Sequence, residues 1–329
     1  MWGAPMVSRM PSTDSRADLT VDLTADLAVD LTGHDWGGRQ GAPALLLLHG
    51  LTDSGECWPD AVARWTPHYR VLSWDARGHG TSARFTPEQM EHGVAETMVD
   101  DAVVVLEALA AAGLERPILV GHSMGGGTAG EVAGRRPDLV RAAVLEDPAL
   151  GSDPGEVVDD RLRAGAQRVR DAEHWRDDPA AAEAKGRGEN PGWPDGEYAG
   201  WARSKRQTDL AMLATGQARV ARTWLDVASE IAVPALLLTC DDPLLWDDEG
   251  RAALVGLGNP HLRVERVAGA GHCIRRSRAA AFHALVDPFL REHSLGEQSA
   301  DPQSADAQSA DAQTADALTA DAHRLADQS

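Results

Sequence analysis

The sequence has little cysteine, no long apolar run and no visible targeting segment. Three cysteines in 329 residues, Cys57, Cys240 and Cys273, are too few and too scattered for a disulfide framework or a zinc site. The apolar run Leu45 to Leu48 is far shorter than the roughly 20 residues that a membrane-spanning helix needs. The N-terminus has no basic segment followed by a long apolar stretch, so no secretory signal is visible. We therefore expect a reduced, cytoplasmic protein without a bound metal.

Basic residues are also in the minority. The chain holds 31 Lys and Arg against 51 Asp and Glu, which gives a formal net charge of −20. Part of the excess lies at the ends, because residues 1–33 and 296–329 are both net acidic. The remaining body is still acidic. This balance argues against nucleic acid or an anionic membrane as a partner and favours solubility.

Short apolar runs alternate with helical patterns through the middle of the chain. The clearest helical pattern, Val94 to Ala112, has one apolar stripe and ends at Gly113. Runs of four to six residues typical of strands buried on both faces occur at Ala44–Leu48, Arg70–Trp74, Pro117–Val120, Ala142–Leu145, Pro234–Leu238 and Leu262–Val267. Strand alternating with helix predicts an α/β fold with a doubly wound, mostly parallel sheet.

The same patterns divide the chain into segments. Residues 1–17 read as disordered, and residues 296–329 as a disordered acidic tail built on a five-residue repeat. Residues 18–149 and 233–295 form the predicted α/β core. Within the core, alternation from Asp18 through Leu31 indicates either a strand pair at a sheet edge or low-complexity sequence. Residues 150–232 separate two core strands and read as a mainly helical insertion.

One motif carries the strongest chemical signal. The run Pro117–Val120 leads into Gly121-His122-Ser123-Met124-Gly125-Gly126 and then into a helical segment. A strand, a sharp turn that carries a serine and a helix form the context of a nucleophile elbow. Glycines two residues either side of Ser123 allow strand and helix to approach closely. Here the chain resembles the α/β-hydrolase family.

Further motifs extend the resemblance over residues 40–293. In chain order they are His49-Gly50-Leu51, Asp75-Ala76-Arg77-Gly78-His79-Gly80, Asp242-Pro243 and Gly269-Ala270-Gly271-His272. The resemblance implies that the helical insertion, residues 150–232, is a cap over the active site, and we call this segment the cap. It also implies that Asp75, Arg77 and His79 order loops beside the site, and that His122 packs beneath the elbow.

The resemblance implies a catalytic triad in the order Ser, acid, His. Ser123 is the expected nucleophile, and His272, directly after the last apolar strand, the expected base. For the acid, the position after the strand Pro234–Leu238 favours Asp242 over the adjacent Asp241, and Asp147 at the end of the preceding strand is a further alternative.

An oxyanion hole needs two backbone donors aimed at the oxygen that gains charge. We expect these donors to be the N–H of Met124, immediately after the nucleophile, and the N–H of Leu51. Past the expected base, Arg275 and Arg276 either attract an anionic substrate or pair with surface acids.

These residues predict a serine hydrolase that cleaves a small-molecule carboxylic ester or lactone through an acyl-enzyme and needs no cofactor. C–C bond or amide hydrolysis and perhydrolysis would use the same triad. A non-catalytic, ligand-binding member of the fold is the alternative from a different class. Serine at the elbow argues against haloalkane dehalogenase and epoxide hydrolase activity, which use aspartate there.

Overall fold

A computed structural model describes residues 30–39, 41–151, 158–242 and 245–294. The chain divides into a unit up to Leu290 and a second from Arg291, of which only residues 291–294 are described. The predictions for residues 1–17 and 296–329, and for residues 18–29 of the N-terminal alternation, lie outside the described residues. Of that alternation, Asp30 and Leu31 are described, and neither is part of a strand.

Seven strands form one sheet in the order β1-β3-β2-β4-β5-β6-β7. Their bounds are β1 Gly33–Asp35, β2 Ala44–Leu48, β3 Arg70–Trp74, β4 Ile118–His122, β5 Ala142–Glu146, β6 Ala235–Thr239 and β7 Leu262–Arg266. Strands β2 to β7 all run parallel to one another, and β1 pairs antiparallel with β3 at one edge. The predicted doubly wound, mostly parallel sheet is confirmed.

Both faces of the sheet are buried, which explains the continuous apolar runs. In β2, Leu45 and Leu47 belong to one core cluster and Leu46 and Leu48 to the other. Because successive side chains of a strand point to opposite faces, a strand covered on both sides needs apolar residues at every position. The central strands β2, β4, β5 and β6 are buried along their whole length.

Helices cover these faces and fill the long interval between β5 and β6. The helices of the core are α1 Pro59–Trp65, α2 Pro87–His92, α3 Val94–Ala111, α4 Met124–Arg135, α10 Asp248–Gly256, α11 Ile274–Ser277 and α12 Ala279–Ser294. The cap contains α5 Val158–Asp177, α6 Pro179–Glu189, α7 Asp195–Ser204, α8 Leu210–Ala214 and α9 Trp224–Glu230. Among the described residues, no helix combines the length and apolarity needed to cross a bilayer.

The topology brings several loops to one edge of the sheet. Strand β2 lies between β3 and β4, so the strand order reverses there, and Leu48 of β2 is in register with Gly121 of β4. In open α/β sheets, ligands bind beyond the carboxyl ends of the strands at such a switch point. The loops that follow β2, β4, β5 and β7 therefore supply the residues of the candidate site.

Candidate active site

Ser123 occupies a strained turn between β4 and α4. Its backbone has φ 52° and ψ −114°, and α4 begins at the next residue, Met124. A Cβ added at Gly121 would lie 2.3 Å from the carbonyl oxygen of Gly125, and one at Gly125 would lie 2.2 Å from that of Leu48. Only glycine permits this approach of helix to strand. The serine is therefore placed at the sheet edge, at the N-terminal end of a helix whose dipole stabilises negative charge.

The imidazole of His272 pairs with the aspartate that follows β5, whereas we had favoured an aspartate that follows β6. Nδ1 of His272 lies 2.6 Å from Oδ2 of Asp147, which directly follows β5 and is fully buried. Asp147 has φ 39°, a conformation that non-glycine residues rarely adopt. From the sequence we favoured Asp242 as the acid that pairs with this imidazole. The structure shows the hydrogen bond to Asp147, the further alternative.

The two aspartates after β6 have other surroundings. Asp241 accepts hydrogen bonds from Nε of Arg266 at 2.7 Å and from the backbone N–H of Gly269 at 2.6 Å. Asp242 is exposed and lines the same cavity as Ser123 and His272. The contact with Nδ1 of the imidazole is made from the loop after β5, where Asp147 has positive φ.

A thiol supports the buried carboxylate. Sγ of Cys240, immediately after β6, lies 3.4 Å from Oδ2 of Asp147 and 3.3 Å from the carbonyl oxygen of Asp242. Burial, together with the neighbouring Asp147, raises the pKa of Cys240 to about 12. The residue is therefore a neutral thiol that can donate to the carboxylate.

The loop after β2 makes a tight turn beside Ser123. The N–H of Asp53 donates to the carbonyl of Gly50 at 3.0 Å, which places Leu51 and Thr52 at the centre of the turn, with φ 65° at Thr52. A Cβ added at Gly50 would lie 3.3 Å from Cβ of Ser123. Leu51 and Ser123 line one cavity. On the other side, Met124 opens α4, where the first N–H groups of a helix have no intrahelical acceptor.

A lysine of the cap holds this turn. Nζ of Lys205, at the C-terminal end of α7, donates to the carbonyl of Thr52 at 3.2 Å, to Oγ1 of Thr52 at 2.7 Å and to Oδ1 of Asp53 at 2.9 Å. The ammonium group and the carboxylate of Asp53 are both largely buried. Lys205 is one of only two lysines in the sequence, and sequence reasoning did not identify it because its partners are more than 150 residues away.

Behind the turn, Asp53 also meets the arginine pair. Nη2 of Arg276 lies 3.1 Å from Oδ2 of Asp53, and Nε of Arg276 donates to Glu197 of α7 at 2.6 Å. Burial alone would raise the pKa of Asp53, but Arg276, Lys205 and then Arg275 hold it well below its ordinary value. The carboxylate is therefore ionised and joins the cap to the core.

Arg275 is also internal. Its backbone N–H and Nη1 donate to the two oxygens of Glu146 at 2.7 and 2.9 Å, and its guanidinium stacks on Trp58 at 3.9 Å. Of the two roles considered for Arg275 and Arg276, pairing with surface acids is wrong, because the acids they contact are buried. Arg276 lines the cavity, but its charge is already matched by Asp53 and Glu197.

The family motif around Asp75 orders the neighbouring loops. Asp75 accepts hydrogen bonds from the N–H groups of Gly55 and Thr81 at 2.8 and 2.9 Å, and Arg77 pairs with buried Asp101 at 2.8 Å. The bond from Gly55 connects the loop after β2 to the loop after β3, and the ion pair of Arg77 joins the second loop to α3.

Two buried histidines in these loops are neutral. Nε2 of His49 accepts the N–H of Ala76 at 3.0 Å, which leaves the proton on Nδ1, close to the carbonyl of Gly50. Burial, followed by the nearby His49, lowers the pKa of His79 to about 3. The two rings contact each other edge to face, 5.0 Å apart.

His122 packs beneath the turn. Its Nε2 donates to the carbonyl of His272 at 3.3 Å, and the two rings lie 4.8 Å apart. Burial, then the neighbouring His272 and Arg275, keep the pKa of His122 well below its ordinary value. A neutral His122 therefore supports the loop that carries His272.

One group among the described residues has donor atoms close enough together to hold a metal: His122, Glu146 and Cys273. Both oxygens of Glu146 already accept hydrogen bonds from Arg275, and burial raises the pKa of Cys273 to about 12. A guanidinium beside a neutral thiol is a poor environment for a cation, so these residues do not fit a metal site.

A cavity of about 590 Å³ lies at this edge of the sheet. Ser123 and His272 line it together with Leu51, and the cap contributes much of the opposite wall, namely Arg168, Asn190, Trp193, Trp201, Lys205, Ala218 and Arg219. The volume suits a small organic ligand. The arrangement places a hydroxyl and an imidazole backed by a carboxylate on the wall of one cavity, beside the turn that carries Leu51.

Fold and motifs agree with comparisons to known proteins. The model of the alpha/beta hydrolase family matches residues 45–285, and the chain belongs to this family. Solved structures with this fold include an E-2-(acetamidomethylene)succinate hydrolase, with TM-score 0.65 and 23% identity over 80% of this chain and 97% of that one. The enol-lactonase from Burkholderia xenovorans LB400 matches with TM-score 0.59 and 24% identity, covering 80% and 98%. Likeness at this identity shows the fold alone.

Curated relatives match over shorter stretches. Lipase LipV of Mycobacterium tuberculosis is 34% identical over 178 residues, which are 50% of this chain and 63% of the lipase. A 2-(acetamidomethylene)succinate hydrolase of Mesorhizobium japonicum is 30% identical over 132 residues, 39% of this chain and 45% of that protein. The matches thus span less than two thirds of these relatives.

Proposed function

We propose that the protein is a serine hydrolase that cleaves a carboxylic ester or lactone through an acyl-enzyme. One observation carries the proposal: the imidazole of His272 is hydrogen-bonded to buried Asp147 in the cavity that the strained Ser123 lines. Family membership and the match to a lipase support it.

In the proposed mechanism, Oγ of Ser123 attacks the carbonyl carbon while Nε2 of His272 takes its proton. Asp147 accepts a hydrogen bond from the Nδ1–H group, which keeps Nε2 facing the serine, and its negative charge stabilises the imidazolium. The N–H groups of Met124 and Leu51 stabilise the oxyanion. His272 then protonates the leaving oxygen, and the alcohol departs. Water activated by His272 attacks the acyl-enzyme and releases the acid.

Amide hydrolysis by the same residues is the second candidate. It is favoured by the relative from Mesorhizobium japonicum, whose named substrate carries an acetamido group. The two reactions share every catalytic residue and differ in the leaving group that His272 must protonate. A panel of matched esters and amides of one acyl group distinguishes them by their relative kcat/KM.

The proposal is tested with 4-nitrophenyl butyrate and a fluorophosphonate probe. We expect turnover by the wild type and its loss in Ser123→Ala, because no other group replaces the nucleophile. The probe should label Ser123 and leave Ser277, which lines the same cavity, unmodified in the peptide map. Retained turnover in Ser123→Ala would refute the mechanism. Absence of labelling in folded wild-type protein would instead favour a ligand-binding member of the fold.

A further inference from the structure

Two donors meet at one oxygen of the Asp147 carboxylate. Oδ2 lies 2.6 Å from Nδ1 of His272 and 3.4 Å from Sγ of Cys240. The other oxygen, Oδ1, is buried and has no hydrogen-bond partner among the described residues. Because the last torsion of an aspartate side chain is broad and two-fold, the side chain itself does little to fix the plane of its carboxylate. The orientation of the carboxylate toward the imidazole therefore depends on the groups that contact Oδ2.

The pairing of β5 with β6 brings Cys240 to this carboxylate. The two strands are parallel, with Glu146 in register with Leu238, and the N–H of Asp147 donates to the carbonyl of Leu238 at 2.8 Å. Cys240 is two residues beyond Leu238, so both side chains lie on the same face of the sheet and belong to one core cluster. The contact between the thiol and the carboxylate is thus built on two paired central strands.

Sulfur suits the apolar surroundings of this position. Cys240 is fully buried and shares its core cluster with Leu236 and Leu238. A free cysteine behaves as a small apolar side chain with a weak donor, so it fills apolar space and still offers a proton. The carbonyl of Asp242, 3.3 Å from Sγ, is a second acceptor within reach. Since hydrogen bonds to charged acceptors are the stronger ones, the single thiol proton favours the carboxylate of Asp147.

We propose that Cys240 is a positioning residue of the triad, whose thiol holds the plane of the Asp147 carboxylate so that Oδ2 faces Nδ1 of His272. This role in the reaction rests on the proposed function, while the hydrogen bond itself depends only on the three side chains. Without the thiol the carboxylate can turn away from the imidazole, and fewer molecules then hold His272 in the productive orientation. The chemical step is slowed, whereas binding of the substrate is unaffected.

Two variants separate the thiol's proton from its volume. Cys240→Ala removes the donor, whereas Cys240→Ser replaces it with a hydroxyl donor. For 4-nitrophenyl butyrate we expect kcat about tenfold lower in Cys240→Ala, because a hydrogen bond to a charged group is lost. In Cys240→Ser kcat should stay within threefold of the wild type. KM should change less than twofold in both variants.

Cys57→Ala is the matched control for these variants. Cys57 is also fully buried, but its Sγ contacts Oγ of Ser54, at 3.7 Å, in the segment before α1. Its truncation to alanine removes the same atom from the interior as Cys240→Ala does. We expect kcat and KM of Cys57→Ala to stay at the wild-type values.

The Nδ1–H group of His272 reports the hydrogen bond without turnover. In protein labelled with ¹⁵N-histidine, its resonances are assigned by their loss in His272→Gln. A weaker bond to Asp147 moves the Nδ1 proton and its nitrogen to higher field, and the nitrogen is observed even where the proton exchanges with water. We expect this shift in Cys240→Ala and wild-type positions in Cys240→Ser and Cys57→Ala.

The outcomes separate this role from the proposed function. Wild-type kcat and wild-type resonances in Cys240→Ala would refute the positioning role and leave the serine hydrolase intact. An equal loss of kcat in Cys240→Ala and Cys240→Ser, or a loss without the shift, would also refute it, since the residue would then be structural alone. If the resonances shift as expected but the wild type cleaves no ester or lactone, the proposed function fails and the positioning of the carboxylate stands.

Discussion

Three residues at the candidate site share an uncommon backbone conformation. Among the described residues, four non-glycines have positive φ, and Thr52, Ser123 and Asp147 are three of them. Each such residue costs free energy and persists where the surroundings enforce it, often at functional sites. Here the three lie in the loops after β2, β4 and β5, so the strain is concentrated at the sheet edge that carries Ser123, Asp147 and the turn around Thr52.

The carboxylate partner of His272 gives a test at the scale of single residues. We expect Asp147→Asn to lower kcat for 4-nitrophenyl butyrate by at least about 10³-fold, because an amide no longer holds the catalytic tautomer or stabilises the imidazolium. Asp242→Asn should change kcat less than about fivefold, since the 2.6 Å contact is made by Asp147.

Asp241→Asn is the control for that pair, because Asp241 lies next to Asp242 and is engaged by Arg266 and Gly269. Steady-state kinetics on the three variants decide the assignment. A large loss of activity in Asp242→Asn with near-normal activity in Asp147→Asn would show that Asp242, which the sequence favoured, is the acid of the triad.

The contrast between these aspartates shows where the sequence was ambiguous. Leu145-Glu146-Asp147-Pro148 and the segment from Thr239 to Pro243 both place Asp-Pro after a buried strand. Composition and spacing do not distinguish them. The difference is the path of the backbone after β5, which depends on tertiary contacts. Ser123 and His272, by contrast, follow local motifs, and the structure places both on one cavity wall.

At the scale of elements, the strands were predictable because their signal is local. Each apolar run from Ala44 to Val267 named above became a strand of the sheet, with bounds that agree within two residues. The antiparallel strand Gly33–Asp35 was not predicted, because its three residues pair only along β3 and carry no apolar pattern. The ion pairs that Lys205 and Glu197 make with the core could likewise not be predicted from the sequence, since they join residues far apart in the chain.

The contact between α7 and the turn at Thr52 gives a test at the scale of elements. We expect Lys205→Met to lower kcat for 4-nitrophenyl butyrate about tenfold or more with little change in KM. The reason is that Lys205 holds the turn that carries the Leu51 N–H, and the loss of one oxyanion donor costs about 3 kcal/mol. Affinity for a trifluoromethyl ketone analogue should fall in parallel with kcat.

Arg203→Met is the matched variant for this experiment. Arg203 is on α7 as well, but it is 53% exposed and pairs with Glu56 at the surface. Its kcat should stay at the wild-type value. A Lys205→Met enzyme that keeps kcat and its affinity for the ketone, while losing only thermal stability, would show that the lysine is structural alone.

At the scale of the whole molecule, buried neutral histidines make stability depend on pH. The pKa of His79 is lowered from 6.5 to about 3, with burial as the main cause, so the folded protein does not take up the proton that the unfolded chain binds. Stability from this group is complete above pH 6.5 and is lost as the pH falls toward 3. At pH 5 the loss is about 2 kcal/mol relative to pH 8.

We expect His79→Asn to flatten the stability profile between pH 7 and 5, although the variant is less stable at pH 8. Nδ1 of His79 contacts the carbonyl of Arg77 at 3.0 Å, and asparagine can keep that donor without titrating. Urea unfolding across this range measures the slope. His68→Asn, at an exposed histidine, should retain the wild-type slope. An unchanged slope in His79→Asn would show that other groups cause the acid sensitivity.

The buried charges shared between α7 and the core restrict how this protein can be recombined. A chimaera that received the cap of a distant homologue would lose Lys205 and Glu197 while retaining Asp53 and Arg276. Asp53 and Arg276 would then keep each other, 3.1 Å apart, but lose the buried hydrogen bonds that Lys205 and Glu197 provide. A buried ion pair is stabilising only when its remaining donors and acceptors are satisfied. A cap transferred into this core should therefore carry a lysine and a glutamate at these two positions, so that all four side chains are kept together.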